Sequence, residues 1–218
     1  MSQLFEIHPQ NPQLRLIRRA AEIMRSGGVI VYPTDSCYAL GCHLGDKDAL
    51  ERIRRIRQAG KDHHFTLVCR DLSEIARYAR IDNSQYRLLR KFTPGPYTFL
   101  LRATRETPKR LQNPRRRTIG IRVPDHPVPQ LLLRELGEPI MSSTLLLPGD
   151  ALPLTDAVEI RERLQHLVDV VLDGGNCGLE PTTVIDLVGE VPAIVRRGRG
   201  ATQAFDRHSG ERGSIPRV

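Results

Sequence analysis

The feature of this sequence that most constrains its fold is the alternation of amphipathic helical segments with short apolar segments of strand type. In the first pair, Asn11 is the predicted N-cap of a helix that begins at Pro12, and a strand follows over residues 29–32. Helical and strand segments then take turns as far as Leu172. This alternation predicts an α/β fold in which helices cover a sheet.

The last two predicted strands, Thr183–Leu187 and Ala193–Arg196, have no helix between them. Such a connection favours antiparallel pairing, so the sheet is expected to be mixed. The length of 218 residues suits a single large domain, and we assign it to residues 1–200. Residues 201–218 are polar and rich in Gly, Ser and Arg, so they are predicted to form a flexible C-terminal tail.

The charge balance predicts an anionic partner. The formal net charge is +8, and 29 of the 33 basic residues are arginine, whose planar fork of donors suits phosphate and carboxylate groups. No apolar run approaches the ~20 residues of a membrane span. The polar N-terminus lacks the apolar core of a secretory signal, so a cytoplasmic location and no membrane partner are expected.

Several common catalytic motifs are missing from the sequence. It contains no P-loop, no dinucleotide-binding glycine motif after the first strand, no G-x-S-x-G elbow and no H-E-x-x-H. Cys37 and Cys42, with His43 beside them, lack the second ligand pair that a zinc site needs. No metal site is therefore predicted, and the four cysteines are expected to be buried free thiols.

Four polar segments follow or interrupt apolar strands. They are YPTDSCYALG (32–41), TIGIRVP (118–124), PIMSST (139–144) and PTTVIDL (181–187), the last followed by VRRG (195–198). In the second segment, strand alternation places Thr118, Gly120 and Arg122 on one face. An arginine inside a strand is costly unless it is paired or faces a ligand. Together these hydroxyls and arginines predict a site for a phosphate-bearing or carboxylate-bearing ligand.

These segments, together with TPGPYTFLL (93–101), resemble the YrdC/YciO family, and within it the YciO branch. The resemblance extends from about residue 24 to residue 200. It implies a twisted, open, mixed sheet in one domain with a basic concave face. The active members of the family are threonylcarbamoyl-AMP synthases, which convert threonine, bicarbonate and ATP to threonylcarbamoyl-AMP and pyrophosphate for tRNA modification. Mg²⁺ accompanying ATP is the implied cofactor, and a monomer is the expected state.

The resemblance also implies roles for individual residues, although none is assigned a catalytic role. The threonine-binding positions correspond to Thr34 or Ser36, Arg122, Ser142 and Thr182. The nucleotide-binding positions correspond to Arg57, Lys61, Thr118, Thr144 and Arg196. Arg122 is expected to hold the threonine carboxylate, and Arg196 is expected to lie near the phosphates.

Two family motifs are altered in this chain. The Lys-x-Arg pair of active synthases aligns with Arg57 and Ala59, with Lys61 as an imperfect substitute, and the Ser-x-Asn motif aligns with Thr144 and Leu146. A weak synthase is therefore one prediction. The alternative is a protein that binds double-stranded RNA or tRNA without catalysis, through the arginine clusters 52–57, 115–117 and 196–199.

Overall fold

The computed structural model describes residues 1–58, 60 and 65–206. The strands are β1 (Gln3–Glu6), β2 (Ile30–Tyr32), β3 (Ala39–His43), β4 (Thr66–Val68), β5 (Ala79–Arg80), β6 (Tyr97–Ala103), β7 (Thr118–Arg122), β8 (Ile140–Thr144), β9 (Val170–Asp173), β10 (Thr183–Asp186) and β11 (Ala193–Arg196). The helices are α1 (Leu14–Arg25), α2 (Lys47–Arg57), α3 (Leu72–Tyr78), α4 (Asn83–Phe92), α5 (Pro127–Leu136), α6 (Ala157–Leu164) and α7 (Gln203–Asp206).

All eleven strands belong to one open sheet in the order β1-β9-β2-β3-β8-β4-β7-β6-β10-β11, with β5 beside β6. Parallel pairs such as β4 with β7 coexist with antiparallel pairs such as β3 with β8. The final strands β10 and β11 pair antiparallel, as the sequence predicts. The prediction of a single α/β domain with a mixed, open sheet is confirmed.

One face of the sheet is covered along its length by a continuous apolar core. Helices α2, α3, α4 and α6 contribute buried residues to this core, and Phe205 of α7 joins it. On the opposite face, α1 and α5 pack over β9, β2, β3, the start of β8 and the end of β4. Ile140 and Val68 lie in this second core, whereas no helix of the described residues contributes to a core over the rest of that face. The candidate site lies on this uncovered part of the sheet.

Three sequence predictions about the first elements need correction. Helix α1 begins at Leu14 with Gln13 as its N-cap, because the Nδ1 atom of His8 accepts the backbone N–H of Asn11 and organises a separate turn there. Strand β1 was not predicted, since its sequence QLFE lacks an apolar run and the strand depends on parallel pairing with β9. Strand β3 begins inside the polar segment YPTDSCYALG (32–41), where no strand was predicted after residue 32.

The domain extends beyond the predicted boundary at residue 200. Helix α7 follows at once, and its Phe205 is buried against the rings of Phe92 and Tyr97. The Tyr97 hydroxyl also donates to the backbone carbonyl of Ala201. The boundary therefore lies at least six residues later, because an apolar ring in a polar segment docks on the core; residues 207–218 lie outside the described residues. None of the helices described has the length and apolar character needed to cross a bilayer.

Candidate functional site

A cavity of about 410 Å³ opens on the part of the sheet that α1 and α5 leave uncovered. Its floor is formed by alternate residues of neighbouring strands, including Thr66, Thr98 and Gly120. Direct pairing of Thr66 with both Gly120 and Ser142 keeps these residues on one face. The residues of the cavity lining that the sequence identified are Ser36, Arg57, Arg122, Ser142, Thr144, Thr182 and Arg196.

Two predicted site residues, Thr34 and Thr118, are not in the cavity lining. Thr34 is buried behind Ser36 and is hydrogen-bonded to it. Thr118 is buried at the start of β7, where it pairs with Arg102 and does not reach the cavity. It lies two residues before Gly120, so alternation gave the correct face but not the distance along the strand. Lys61 lies outside the described residues, as does Ala59.

The turn between β2 and β3 is held by a chain of hydroxyl groups that ends on Arg122. The Thr34 hydroxyl donates to the carbonyl of Cys37 at 2.7 Å, so the Ser36 hydroxyl must donate to Thr34, at 3.0 Å. The Ser36 oxygen in turn accepts an N–H from Arg122 at 3.2 Å. The sequence left open whether Thr34 or Ser36 faces a ligand; Ser36 lines the cavity and Thr34 supports it.

Arg122 is also paired with a carboxylate that the sequence analysis did not single out. Its second terminal nitrogen bonds to the Oδ1 atom of Asp35, and about one-tenth of each side chain is exposed. The Oδ2 atom of Asp35 and the Nε atom of Arg122 are buried without a hydrogen-bond partner among the described residues. A buried arginine must be paired, and the only sequence signal for Asp35 was its place in the YPTDSCYALG segment.

Tyr32 and Ser142 mark the border between the covered and uncovered parts of the face. The Ser142 hydroxyl donates to the carbonyl of Leu40 at 3.0 Å, so the Tyr32 hydroxyl donates to Ser142, at 2.7 Å. Burial raises the pKa of Tyr32 to about 12. A β-carbon at Gly41 would lie 2.8 Å from the Tyr32 ring and 2.9 Å from Ile140, which explains a glycine at this position.

Arg196 is held against the PTT segment. It donates to the carbonyl of Thr182 at 2.8 Å and to the Thr182 hydroxyl at 3.2 Å, and that hydroxyl is 2.8 Å from the hydroxyl of Thr98. The two segments approach so closely that a β-carbon at Gly198 would lie 2.2 Å from the carbonyl oxygen of Pro181. The resemblance gave no role to Thr98, which strand alternation in TPGPYTFLL could have placed on this face.

Arg57 reaches the cavity from the end of α2. One of its terminal nitrogens bonds to the carbonyl of Leu146, and its Nε atom is buried without a partner in the part of the chain described. Burial lowers the pKa of the guanidinium groups of Arg57 and Arg196 below their ordinary value. Neither forms an ion pair with a described carboxylate, so within the described residues both bring an unpaired positive charge to the cavity.

The thiols near the cavity are structural in character. Cys37, Cys42 and Cys69 are buried free thiols, as expected, whereas Cys177 is half-buried. Burial raises the pKa of Cys37 to about 11, although the charges of Arg122 and Arg196 oppose this rise. Among the described residues, no group of three or more His, Cys, Asp or Glu side chains is arranged to hold a metal ion.

The upper wall of the cavity was not predicted from the sequence. It is apolar and comes largely from the loop after β8 and from the loop before β10, with Leu152, Pro153 and Leu179 as lining residues. Leu146, which aligns with the asparagine of the family motif, also lines the cavity. The site therefore joins a polar floor with three guanidinium groups to an apolar roof.

Comparison with known proteins agrees with this architecture. The Sua5/YciO/YrdC family model, which carries the description "Telomere recombination", matches residues 22–198. The uncharacterized protein YciO of Escherichia coli is 55% identical over 205 residues, which cover 94% of this chain and 100% of YciO. The crystal structure of that protein matches with a TM-score of 0.91 over the same shares of the two chains.

Two further matches are to a protein with a named activity and to a structure with a bound ligand. A threonylcarbamoyl-AMP synthase from Chromobacterium violaceum is 33% identical over 180 residues, 82% of this chain and 92% of the synthase. The structure of P. abyssi Sua5 complexed with L-threonine has a TM-score of 0.87 at 24% identity, over 96% of this chain and 62% of Sua5. This last match supports the fold alone. From the family match and the relatives at 55% and 33% identity, we conclude that the chain belongs to the Sua5/YciO/YrdC family.

Proposed function

We propose that this protein is a weak L-threonylcarbamoyl-AMP synthase that supplies tRNA modification in the cytoplasm. The observation that carries the proposal is the single cavity into which Arg57, Arg122 and Arg196 converge from three separate segments. A ligand with a carboxylate and a ligand with a triphosphate both need such donors. The relative from Chromobacterium violaceum, which is a threonylcarbamoyl-AMP synthase, supports this choice of reaction.

The proposed reaction requires positioning and charge stabilisation. The amine of threonine forms a C–N bond with the carbon of bicarbonate, and water leaves to give a carbamate. A carbamate oxygen then attacks the α-phosphorus of ATP while the bond to pyrophosphate breaks. Arg122 would orient the threonine carboxylate, and the unneutralised charges of Arg57 and Arg196 would stabilise the leaving pyrophosphate. Mg²⁺ would enter with ATP as part of the nucleotide substrate.

The weakness of the proposed activity follows from the roof of the cavity. Leu146 places an isobutyl group where the family motif has an asparagine, and it cannot hydrogen-bond a substrate. A missing polar contact of this kind costs about 1–3 kcal/mol. The Leu146 carbonyl is occupied by Arg57, so the backbone does not replace the lost amide.

The test is pyrophosphate release with ATP, threonine, bicarbonate and Mg²⁺. We expect slow release that requires both threonine and bicarbonate, and a roughly tenfold increase in the Leu146→Asn variant. Leu152→Asn is the matched control, because Leu152 also lines the roof but lies outside the Thr144–Leu146 segment that aligns with the Ser-x-Asn motif. Release that persists without threonine, or the absence of release even from Leu146→Asn, would contradict the proposal.

A second candidate function is binding of double-stranded RNA or tRNA. The observation that favours it is the exposed turn Arg115–Arg117, in which only Arg116 pairs with a described carboxylate, that of Asp186. The other two arginine clusters are less available, since Arg52 pairs with Asp169 and Arg197 with Asp206.

Phosphate contacts by this turn would give RNA affinity that falls with salt and depends little on sequence. We expect Arg115→Gln/Arg117→Gln to weaken duplex binding at low salt and to flatten its salt dependence. Arg87→Gln/Arg90→Gln on helix α4 is the control for a general loss of charge. Equal effects of the two double variants would argue against a specific role of the turn.

A further inference from the structure

The three guanidinium groups of the cavity differ in the charge of their protein partners. Arg122 is paired with the carboxylate of Asp35, and both side chains are about nine-tenths buried. Arg57 and Arg196 instead bind neutral groups, the carbonyl of Leu146 and the carbonyl and hydroxyl of Thr182. The Arg122 position therefore carries no net charge, whereas the other two positions are cationic.

Asp35 exerts this effect without occupying ligand space. Ser36, Cys37 and Arg122 line the cavity, but Asp35 does not. The turn that holds Asp35 is fixed by the hydroxyl of Thr34, and its carboxylate bonds to Arg122 without itself lining the cavity. Within the described residues, Ser36 and Asp35 each engage one donor on a different terminal nitrogen of Arg122, so the second donor on each of these nitrogens remains for a ligand.

We propose that Asp35 is a specificity-determining residue, which neutralises Arg122 so that this guanidinium accepts the carboxylate of a zwitterionic amino acid and rejects phosphate groups. A single carboxylate can bind through the N–H donors of a guanidinium that is already paired. A phosphate dianion gains much more from an unpaired guanidinium, because the charge of Arg122 is already offset by Asp35. The phosphates are thereby directed to Arg57 and Arg196. The identity of the amino acid rests on the proposed function, but the charge discrimination does not.

The discrimination can be measured with inorganic phosphate as the probe. Phosphate affinity is determined by calorimetry for the wild type and for Arg57→Gln/Arg196→Gln, which removes the unneutralised cations. We expect the double variant to lose at least about tenfold in affinity, because the charge of the remaining Arg122 is already offset by Asp35. Either of two results would overturn the proposal: no phosphate binding by the wild type, or equal phosphate affinity of the wild type and the double variant.

Asp35→Asn is then added to the double variant. It leaves Arg122 as an unneutralised cation, and we expect phosphate affinity to recover by about tenfold. Asp169→Asn, which removes the partner of Arg52 outside the cavity, is the matched control and should restore nothing. A folded Asp35→Asn triple variant that does not regain phosphate would contradict the proposal.

A second pair of ligands separates this inference from the proposed function. L-threonine and 3-hydroxybutanoate differ by the ammonium group, and both are titrated in the presence of α,β-methylene-ATP. The wild type should prefer threonine by at least about tenfold, and Asp35→Asn should reduce this preference. If the wild type does not bind threonine but the phosphate affinities of the variants are as expected, the proposed synthase function is refuted and the role of Asp35 still holds.

Discussion

One face of the sheet contains two regions that share β4 and β8 but have opposite properties. In the region under α1 and α5, Ile30, Ile140 and Val68 are fully or almost fully buried in an apolar core. Two residues further along β8, Ser142 faces the open cavity, and hydroxyl side chains take the place of the apolar ones. The two regions are joined at the hydrogen bond between Tyr32 and Ser142.

The difference shows that the end of the helical cover creates the site. Apolar side chains are required where a helix packs on the strands, because burial there excludes water. Beyond the helices the strands continue with the same alternation, and positions that face the cavity carry polar groups that hydrogen-bond to one another, such as Thr98 with Thr182. We therefore expect substitutions in the covered region to change stability and substitutions in the open region to change binding.

The largest expected effect is on stability, from Ile140→Ala in the covered region. Ile140 is completely buried, so the deletion leaves a cavity between β8 and the two helices and should lower the free energy of unfolding by about 2–5 kcal/mol. Ile140→Val is the control and should cost only about 0.5–1.5 kcal/mol. Urea denaturation measures both, and unchanged nucleotide affinity of the folded variants would support the division between the two regions.

Arg196→Gln in the open region should instead weaken nucleotide binding and leave the stability largely unchanged. Loss of a charged donor to phosphate is expected to weaken nucleotide binding by about 1.5–3 kcal/mol, or roughly ten- to hundredfold. Its neighbour Arg197 is the control, since it points to Asp206 and does not line the cavity. Equal losses in Arg196→Gln and Arg197→Gln, measured by calorimetry, would indicate a general charge effect rather than a site.

Tyr32, at the border between the regions, should make the free energy of unfolding depend on pH in the alkaline range. The buried Tyr32 has a pKa of about 12, against roughly 10 in the unfolded chain, so the folded state holds this proton more tightly. This stabilisation is complete below pH 10, is lost as the pH rises through 12, and has fallen by about 1.4 kcal/mol at pH 11. Tyr32→Phe should be less stable at neutral pH but lose less between pH 9 and 11. The exposed Tyr86→Phe is the control, and an alkaline profile of Tyr32→Phe like that of the wild type would contradict this assignment.

The sequence predicted the covered region better than the open one. Apolar spacing identified helix α1 and the strand around Val31, because packing against a core imposes a repeating pattern on the chain. In the open region, alternation correctly placed Arg122 on the polar face. It also favoured Thr118, which shares that face but lies too far along the strand.

The contacts that define the site could not be predicted from local pattern. The Asp35–Arg122 pair joins residues 87 positions apart and exists only because the β2–β3 turn lies beside the end of β7. The contact of Arg57 with the Leu146 carbonyl spans 89 positions. Strand β1 was missed for a similar reason, since its pairing with β9 depends on residues near position 170.

The central claim is that the open region of the sheet binds the amino acid through Arg122. It is tested most directly by titrating L-threonine, with α,β-methylene-ATP present, into the wild type and into Asp35→Asn/Arg122→Gln. This double variant removes both buried charges together, so neither is left unpaired. We expect saturable binding of one threonine by the wild type and none by the folded double variant. Equal threonine affinity of the two proteins, or no binding by the wild type, would contradict the account.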